Sequence, residues 1–362
     1  MNGPFPRRET HRVRAGSVEI GGGAPVSVQT MANADPRDAA ALSRQIASAA
    51  DLGADIVRLT VPDFEAARVF AAVRKSSPVP LVADIHFNHR LALAALDAGA
   101  DALRLNPGNI GGAENVREVA RAASARGTPI RIGVNGGSLE RDLLERHGSA
   151  TPEALVESAM RHVSLLEAEG FGDIVVSVKA SDVPRTLASY RLLSEKTRHP
   201  LHVGVTEAGT LIPGIARSSV AIGALLMEGI GDTIRVSLTD LPEREVRAGV
   251  EILRALGLRA PGASITSCPT CGRTKVDLFK TASEVEAALE KHYLAHPGAP
   301  RPKVAVMGCV VNGPGEARDA DIALCGANGS FYVFSRGERS PDPVPADEAA
   351  AAVLSLVENF GK

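Results

Sequence analysis

From about residue 25 to about residue 258, short β-rich segments alternate eight times with longer stretches rich in alanine and leucine. The pattern predicts strands at Val26–Met31, Ile56–Val61, Leu81–His86, Ala102–Asn106, Ile130–Asn135, Ile174–Lys179, Leu201–Thr206 and Thr233–Thr239. Helical patterns fill the intervals. Over Pro36–Leu52, Asp35 is the expected N-cap and Pro36 falls in the first turn. Glycine followed by aspartate recurs before strands, in Gly53-Ala-Asp55, Gly99-Ala-Asp101, Gly170-Phe-Gly-Asp173 and Gly229-Ile-Gly-Asp232. Glycine just past a helix end suits a left-handed C-cap. Eight parallel strands, each followed by a helix, imply an α/β protein with a (β/α)8 TIM barrel. The alternative, an open doubly wound sheet, has no Gly-x-Gly-x-x-Gly after the first strand to support it.

Strands covered on both sides usually read as continuous apolar runs. These instead carry one apolar face and one that turns polar toward the C-terminal end. The two-residue period groups Val57, Leu59 and Val61 on one face and Arg58 with Thr60 on the other. It likewise groups Asp84, His86 and Asn88; Arg104 with Asn106; and Arg131 with Asn135. Ser177 with Lys179, and Arg235 with Ser237 and Thr239, follow the same rule. With the apolar faces packed under the helices, four arginines and a lysine converge on the C-terminal mouth, where barrel enzymes keep their chemistry.

Such a cluster does not serve stability, because desolvated like charges repel and leave unpaired groups. Asp84 and Glu207 offset only part of it. Guanidinium forks suit phosphate, so a phosphorylated substrate with more than one phosphoryl group is expected. The segments Asn106-Pro-Gly-Asn-Ile-Gly-Gly and Asn135-Gly-Gly-Ser follow strands directly and can present backbone N–H groups to phosphate.

The remaining residues, 261–362 after a barrel domain of 1–260, predict a small α+β domain built around cysteines. After the linker Arg259-Ala-Pro-Gly-Ala-Ser, a helix is expected near Ser283–Tyr293 and strands at Lys303–Met307, Ile322–Leu324 and Phe331–Phe334. A terminal helix follows from about Ala346. Cys268 and Cys271 form a Cys-x-x-Cys pair, and Cys309 precedes a glycine-proline turn and Glu316. Three thiolates of this kind hold a soft metal and leave a fourth position open. Zinc competes, since Cys-Pro-x-Cys-Gly also begins a zinc-ribbon knuckle and Cys325 can complete a four-cysteine set. A ribbon closes with a second Cys-x-x-Cys, however, whereas Cys309 and Cys325 lie 16 positions apart. Spacing therefore favours iron–sulfur. Cys325, beside Ile322, Ala323 and Leu324, reads as a small buried hydrophobe.

Composition narrows the remaining classes. A net charge of −2, no tryptophan and three tyrosines give neither the basic surplus nor the stacking surface of a nucleic-acid binder. No apolar run reaches the roughly 20 residues that span a bilayer. The start has arginines but no apolar segment of a secretion signal. Four cysteines in 362 residues suit a reducing compartment, so a cytoplasmic protein is expected.

The motifs resemble, closely, those of bacterial 4-hydroxy-3-methylbut-2-enyl diphosphate synthases of the non-mevalonate isoprenoid pathway. The likeness runs through Ser27-Val-Gln-Thr-Met, Ala83-Asp-Ile-His-Phe-Asn, Arg104-Leu-Asn-Pro-Gly-Asn-Ile-Gly, Arg131-Ile-Gly-Val-Asn-Gly-Gly-Ser-Leu and Thr206-Glu-Ala-Gly. Its most specific part is Gly308-Cys-Val-Val-Asn-Gly-Pro-Gly-Glu316. The resemblance is to the short bacterial form. It implies a 4Fe–4S cluster held by Cys268, Cys271, Cys309 and Glu316, and a barrel that binds 2-C-methyl-D-erythritol 2,4-cyclodiphosphate. It also implies two-electron reductive ring opening, electrons from ferredoxin or flavodoxin, and a homodimer whose active site joins one subunit's barrel to the other's cluster.

On that basis Glu207 is the candidate proton donor, with orientation of a cation as its plainer role. Arg58, Asp84, His86, Asn88, Arg104, Asn106, Arg131, Asn135, Ser177, Lys179, Arg235 and Ser237 are candidate substrate contacts. His202, earlier in its strand, is expected to be structural. The family carries a small non-cysteine residue where this chain has Cys325. A different enzyme class also suits the barrel: a Schiff-base aldolase with Lys179 as nucleophile and structural zinc on the cysteines.

Overall fold

The computed structural model describes residues 4–260, 262–263, 265–296, 298–311, 315 and 317–360. Contacts divide the chain into two compact units, Met1–Arg259 and Ala260–Lys362.

The first unit opens with a hairpin that the sequence reading did not foresee. Strands β1 (Arg12–Ala15) and β2 (Val18–Gly21) pair in antiparallel register. Gly16, at φ +57°, supplies the left-handed turn between them. Val13, Ala15 and Ile20 pack on Ile56, Val82, Ala102 and Val175, closing the N-terminal floor of a barrel.

Eight parallel strands follow: β3 (Ser27–Met31), β4 (Ile56–Thr60), β5 (Leu81–Asp84), β6 (Ala102–Leu105), β7 (Ile130–Asn135), β8 (Ile174–Lys179), β9 (His202–Val203) and β10 (Thr233–Ile234). They pair in the order β8-β7-β6-β5-β4-β3-β10-β9. A single parallel bridge, Val176 to Leu201, joins the two ends, so the TIM barrel is nearly closed. β9 and β10 are shorter than their sequence suggests. Gly204 sits at φ +157°, and a Cβ there would stand 2.2 Å from the Arg235 carbonyl oxygen, so the backbones crowd where regular pairing stops.

Helices α1 (Ala39–Asp51), α2 (Phe64–Ser76), α3 (His89–Asp97), α4 (Ala113–Arg126), α5 (Arg141–His147), α6 (Pro152–Glu167), α7 (Val183–Lys196), α8 (Leu211–Met227) and α9 (Pro242–Ala255) surround the strands. α5 is an extra short helix between β7 and α6. The N-cap of α1 is Asp38, which accepts the Ala41 N–H, rather than Asp35. Asp35 closes the turn before it by accepting the Arg37 N–H at 2.9 Å, so the helix starts one turn later.

The glycine–aspartate punctuation has a second cause besides the C-caps. Asp55, Asp101 and Asp232 accept the N–H groups of Val28, Leu81 and Leu201 at 2.7, 2.8 and 2.9 Å. Each aspartate thereby ties its strand to the foot of a neighbour.

The second unit is a mixed sheet with helices on one face. Its elements are β11 (Ile265–Ser267), α10 (Leu278–Ala295), β12 (Val304–Met307), β13 (Ile322–Ala327), β14 (Ser330–Ser335), β15 (Glu338–Arg339), β16 (Val344–Pro345) and α11 (Ala349–Glu358). β11, β12 and β13 are parallel, and β14 returns antiparallel. Val285 and Leu289 of α10 and Val353 and Val357 of α11 bury Val304, Val306, Ile322 and Leu324. Ala305, Met307, Ala323 and Cys325 face the other side, against Ala317.

Candidate active site and metal centre

Parallel register brings the polar positions of the barrel into layers. Asp84 stands opposite Arg104, Arg104 opposite Arg131, and Asn135 opposite Lys179. Side chains on this face point into the barrel, and the apolar hairpin occupies the space below them. The five expected cations are all there. Arg131 and Lys179 are 5% and 7% exposed, and Arg58, Arg104 and Arg235 are nearly as enclosed.

Two carboxylates oppose them. Asp84 contacts Arg104 Nη1 at 3.3 Å and Arg58 Nε at 4.0 Å. Glu245 approaches Arg235 Nη2 at 3.4 Å and accepts hydrogen bonds from Thr30 Oγ1 and the Leu238 N–H, both at 2.9 Å. The sequence reading missed Glu245 because it comes from α9 rather than a strand. Its signal was a glutamate on the apolar stripe of that helix, with Ala248, Gly249 and Ile252.

The balance remains strongly positive. Arg131 donates from Nη1 to Ser177 at 3.3 Å, yet its Nε and Nη2 have no partner. The Nε groups of Arg104 and Arg235 are also unpartnered. Burial drives the Lys179 amine well below its ordinary range, and Arg235, Arg131 and Arg58 add to the effect. Arg131 falls well below its usual range for the same first reason, and Arg58 drops to about 10. Burial pushes Asp84 upward, but Arg58 and Arg104 outweigh it and hold the carboxyl below the usual range. Buried donors without acceptors and cations in excess of carboxylates suit an anionic ligand.

The other expected contacts lie around this cluster. Asn106 is buried and accepts the Gly133 N–H at 3.0 Å. Ser177 is buried beneath Arg131, and Asn135 and Ser237 are half-buried. His86 and Glu207 are exposed at the rim. Glu207 adopts φ +53°, a left-handed conformation costly for a residue with a Cβ. Asn88 is engaged differently: its side chain caps α3 by accepting the Arg90 N–H at 3.0 Å. His202 is fully buried, and burial, reinforced by Lys179, pulls its pKa well below the usual value.

A cavity of about 410 Å³ opens at this mouth between Met31, Thr60, Arg235 and Glu245. A larger hollow, about 620 Å³, lies on the outer wall along α6. Its arginine, Arg161, is already paired with Asp142 and Glu157, so nothing there calls for an anion.

In the second unit, Cys268 directly follows β11 and Cys309 lies two residues past β12. β11 and β12 are neighbouring parallel strands, so both thiols come from one end of the sheet. The Gly308 N–H points at Cys268 Sγ, 3.3 Å away. Thr270, at φ +56°, bends the Cys-x-x-Cys turn, and Cys271 is exposed beyond it. Cys325 differs: it is wholly buried on β13. Burial lifts its thiol to about 11, and the neighbouring Cys309 and Cys268 contribute in the same direction. A neutral, enclosed thiol is a filler of the core, whereas the other three suit a soft metal. Glu316, the fourth expected ligand, lies outside the described residues. Among those described, no three metal-binding side chains form a closed group.

Residues 10–250 match the GcpE TIM-barrel domain and residues 264–359 the GcpE protein C-terminal domain. The chain belongs to the GcpE family. A relative from Symbiobacterium thermophilum is 53% identical over 97% of this chain and 93% of its own length. One from Geobacter sulfurreducens is 51% identical over 98% of both chains, and one from Maridesulfovibrio salexigens 54% over 92% and 91%. Each is named 4-hydroxy-3-methylbut-2-en-1-yl diphosphate synthase (flavodoxin).

Proposed function

We propose that the barrel mouth binds 2-C-methyl-D-erythritol 2,4-cyclodiphosphate and that the protein is an oxidoreductase opening its ring. Two electrons and two protons enter, one carbon–oxygen bond to the diphosphate breaks, and one hydroxyl departs as water. The product is 4-hydroxy-3-methylbut-2-enyl diphosphate. The observation that carries this reading is Arg131, buried with two unpartnered donors among five cations that, among the described residues, Asp84 and Glu245 oppose.

Arg58, Arg104, Arg131, Lys179 and Arg235 hold the two phosphoryl groups, with Asn106, Asn135, Ser177 and Ser237 completing the shell. Bidentate guanidinium contacts fix the ring's orientation and exclude water from it. Asp84 keeps Arg58 and Arg104 in place, while His86 and Asn88 border the rim. Glu207, held at the rim by its left-handed backbone, delivers a proton to the reacting carbons.

Cys268, Cys271 and Cys309, with Glu316, would hold a 4Fe–4S cluster. Bound there, it supplies single electrons and a Lewis-acidic iron for the departing hydroxyl. The relatives' name supports flavodoxin as electron donor, and the family resemblance supports a homodimer in which one copy's cysteine domain serves the other's barrel.

The test is metal and acid-labile sulfide analysis of anaerobically purified protein, with turnover of the cyclic diphosphate by reduced flavodoxin. About four irons and four sulfides per chain, with turnover, are expected. One zinc, no sulfide and an untouched cyclic diphosphate would sink the proposal and turn attention to the buried amine of Lys179.

A further inference from the structure

The first glycine-rich segment at the mouth is held from behind by a side chain that the reading above leaves unused. His162, on α6, is 4% exposed. Its Nδ1 accepts the N–H of Gly108 at 3.0 Å, within the turn Pro107–Asn109 that follows β6. Accepting at Nδ1 puts the ring proton on Nε2, which faces Glu140 Oε1 at 3.6 Å. The other oxygen of Glu140 accepts the Ser158 hydroxyl at 2.6 Å. Glu140 lies in the segment that follows β7 and immediately precedes α5. One imidazole therefore bonds the first glycine-rich segment and faces Glu140, two residues past the second.

The contact with Gly108 is close enough to explain the glycine. A Cβ at that position would stand 2.6 Å from His162 Cε1, so any side chain would push the ring away. Two residues upstream, Asn106 accepts the Gly133 N–H while Arg104 Nη2 donates to the Gly133 carbonyl at 2.7 Å. Fixing the Pro107–Asn109 turn thus fixes Asn106, and with it the strand edge that orients Arg104.

We propose that His162 is a positioning residue, bracing the loop after β6 through Gly108, with Glu140 behind its ring, so that Arg104 and Asn106 meet the anion preorganised. This rests on the mouth being the diphosphate site. A histidine that merely fills the core would satisfy the same burial, and two substitutions separate the roles. His162→Asn presents a side-chain oxygen near the place of Nδ1, while His162→Phe keeps the ring's bulk and removes the acceptor.

Three quantities are to be measured on the full chain: hydrogen exchange over residues 106–112, calorimetric affinity for inorganic pyrophosphate, and the thermal midpoint. His162→Phe should speed exchange over 106–112 and weaken pyrophosphate about tenfold, the scale of one orphaned buried donor. His162→Asn should stay within about threefold of the native protein in affinity and exchange, even if its midpoint falls as far. Native-like exchange and affinity in His162→Phe would overturn the proposal, as would identical losses in both variants. Should no form bind pyrophosphate while exchange still quickens only in His162→Phe, the brace stands and the mouth as anion site fails.

Discussion

The two units present their reactive groups in opposite ways. In the barrel, charged side chains stand on strands, their register fixed by backbone pairing, and they are buried before any ligand arrives. In the second unit the three candidate metal ligands sit on turns beyond strand ends, half-buried or exposed. A site made by strands is preorganised and carries electrostatic strain in the free protein; one made by turns is completed by what it binds.

Cys309→Ser should have the largest effect and touch only one side of that comparison. Bound iron and turnover should fall to background while the barrel's far-ultraviolet dichroism and thermal midpoint hold. Retained turnover would break the division of labour between the units.

Arg131→Met probes the strain directly. Pyrophosphate affinity should fall by roughly 2–4 kcal/mol, the usual cost of deleting one member of a buried charge pair. Yet the ligand-free protein should gain about 1–2 kcal/mol in chemical denaturation, because an uncompensated buried cation is replaced by an apolar side chain. A loss in both measurements would mean that Arg131 is structurally compensated and the barrel not strained.

The pH response sharpens the same point. The folded pKa of His202 lies below its unfolded value of about 6.5, so as pH falls the unfolded chain takes up a proton that the barrel refuses. This contribution to stability is whole above pH 6.5 and is lost below it, at a slope of about 1.4 kcal/mol per pH unit for one proton. His162 and His199 are lowered too and act in the same direction. Denaturant titrations of His202→Gln should show a shallower acid dependence by about one proton; an unchanged slope would refute the assignment.

The smallest effect is expected from Cys325→Ala. As core filler it should cost about 1 kcal/mol of stability and leave iron content untouched. Loss of iron would make it a ligand.

The eight strands were legible because alternation and register obey the same two-residue period, so Arg58, Arg104, Arg131, Lys179 and Arg235 could be grouped without coordinates. What escaped came from outside that period. Glu245 and His162 reach the mouth from helices, and their partners at Thr30 and Gly108 are distant in sequence. The hairpin Arg12–Gly21 is too short for its alternation to stand out from a polar start. Asp38 and Asp35 both carry capping side chains, and only the backbone's path chooses between them. Asn88 shows the reverse error of scale: strand parity groups it with Asp84, but the strand ends at Asp84 and the helix claims the side chain.

The hairpin seated under the barrel has a kinetic consequence. With Val13, Ala15 and Ile20 packed on Ile56, Val82, Ala102 and Val175, the described residues close the N-terminal end of the barrel. On the proposed function, product would then leave by the mouth through which substrate enters, and would compete with it for entry.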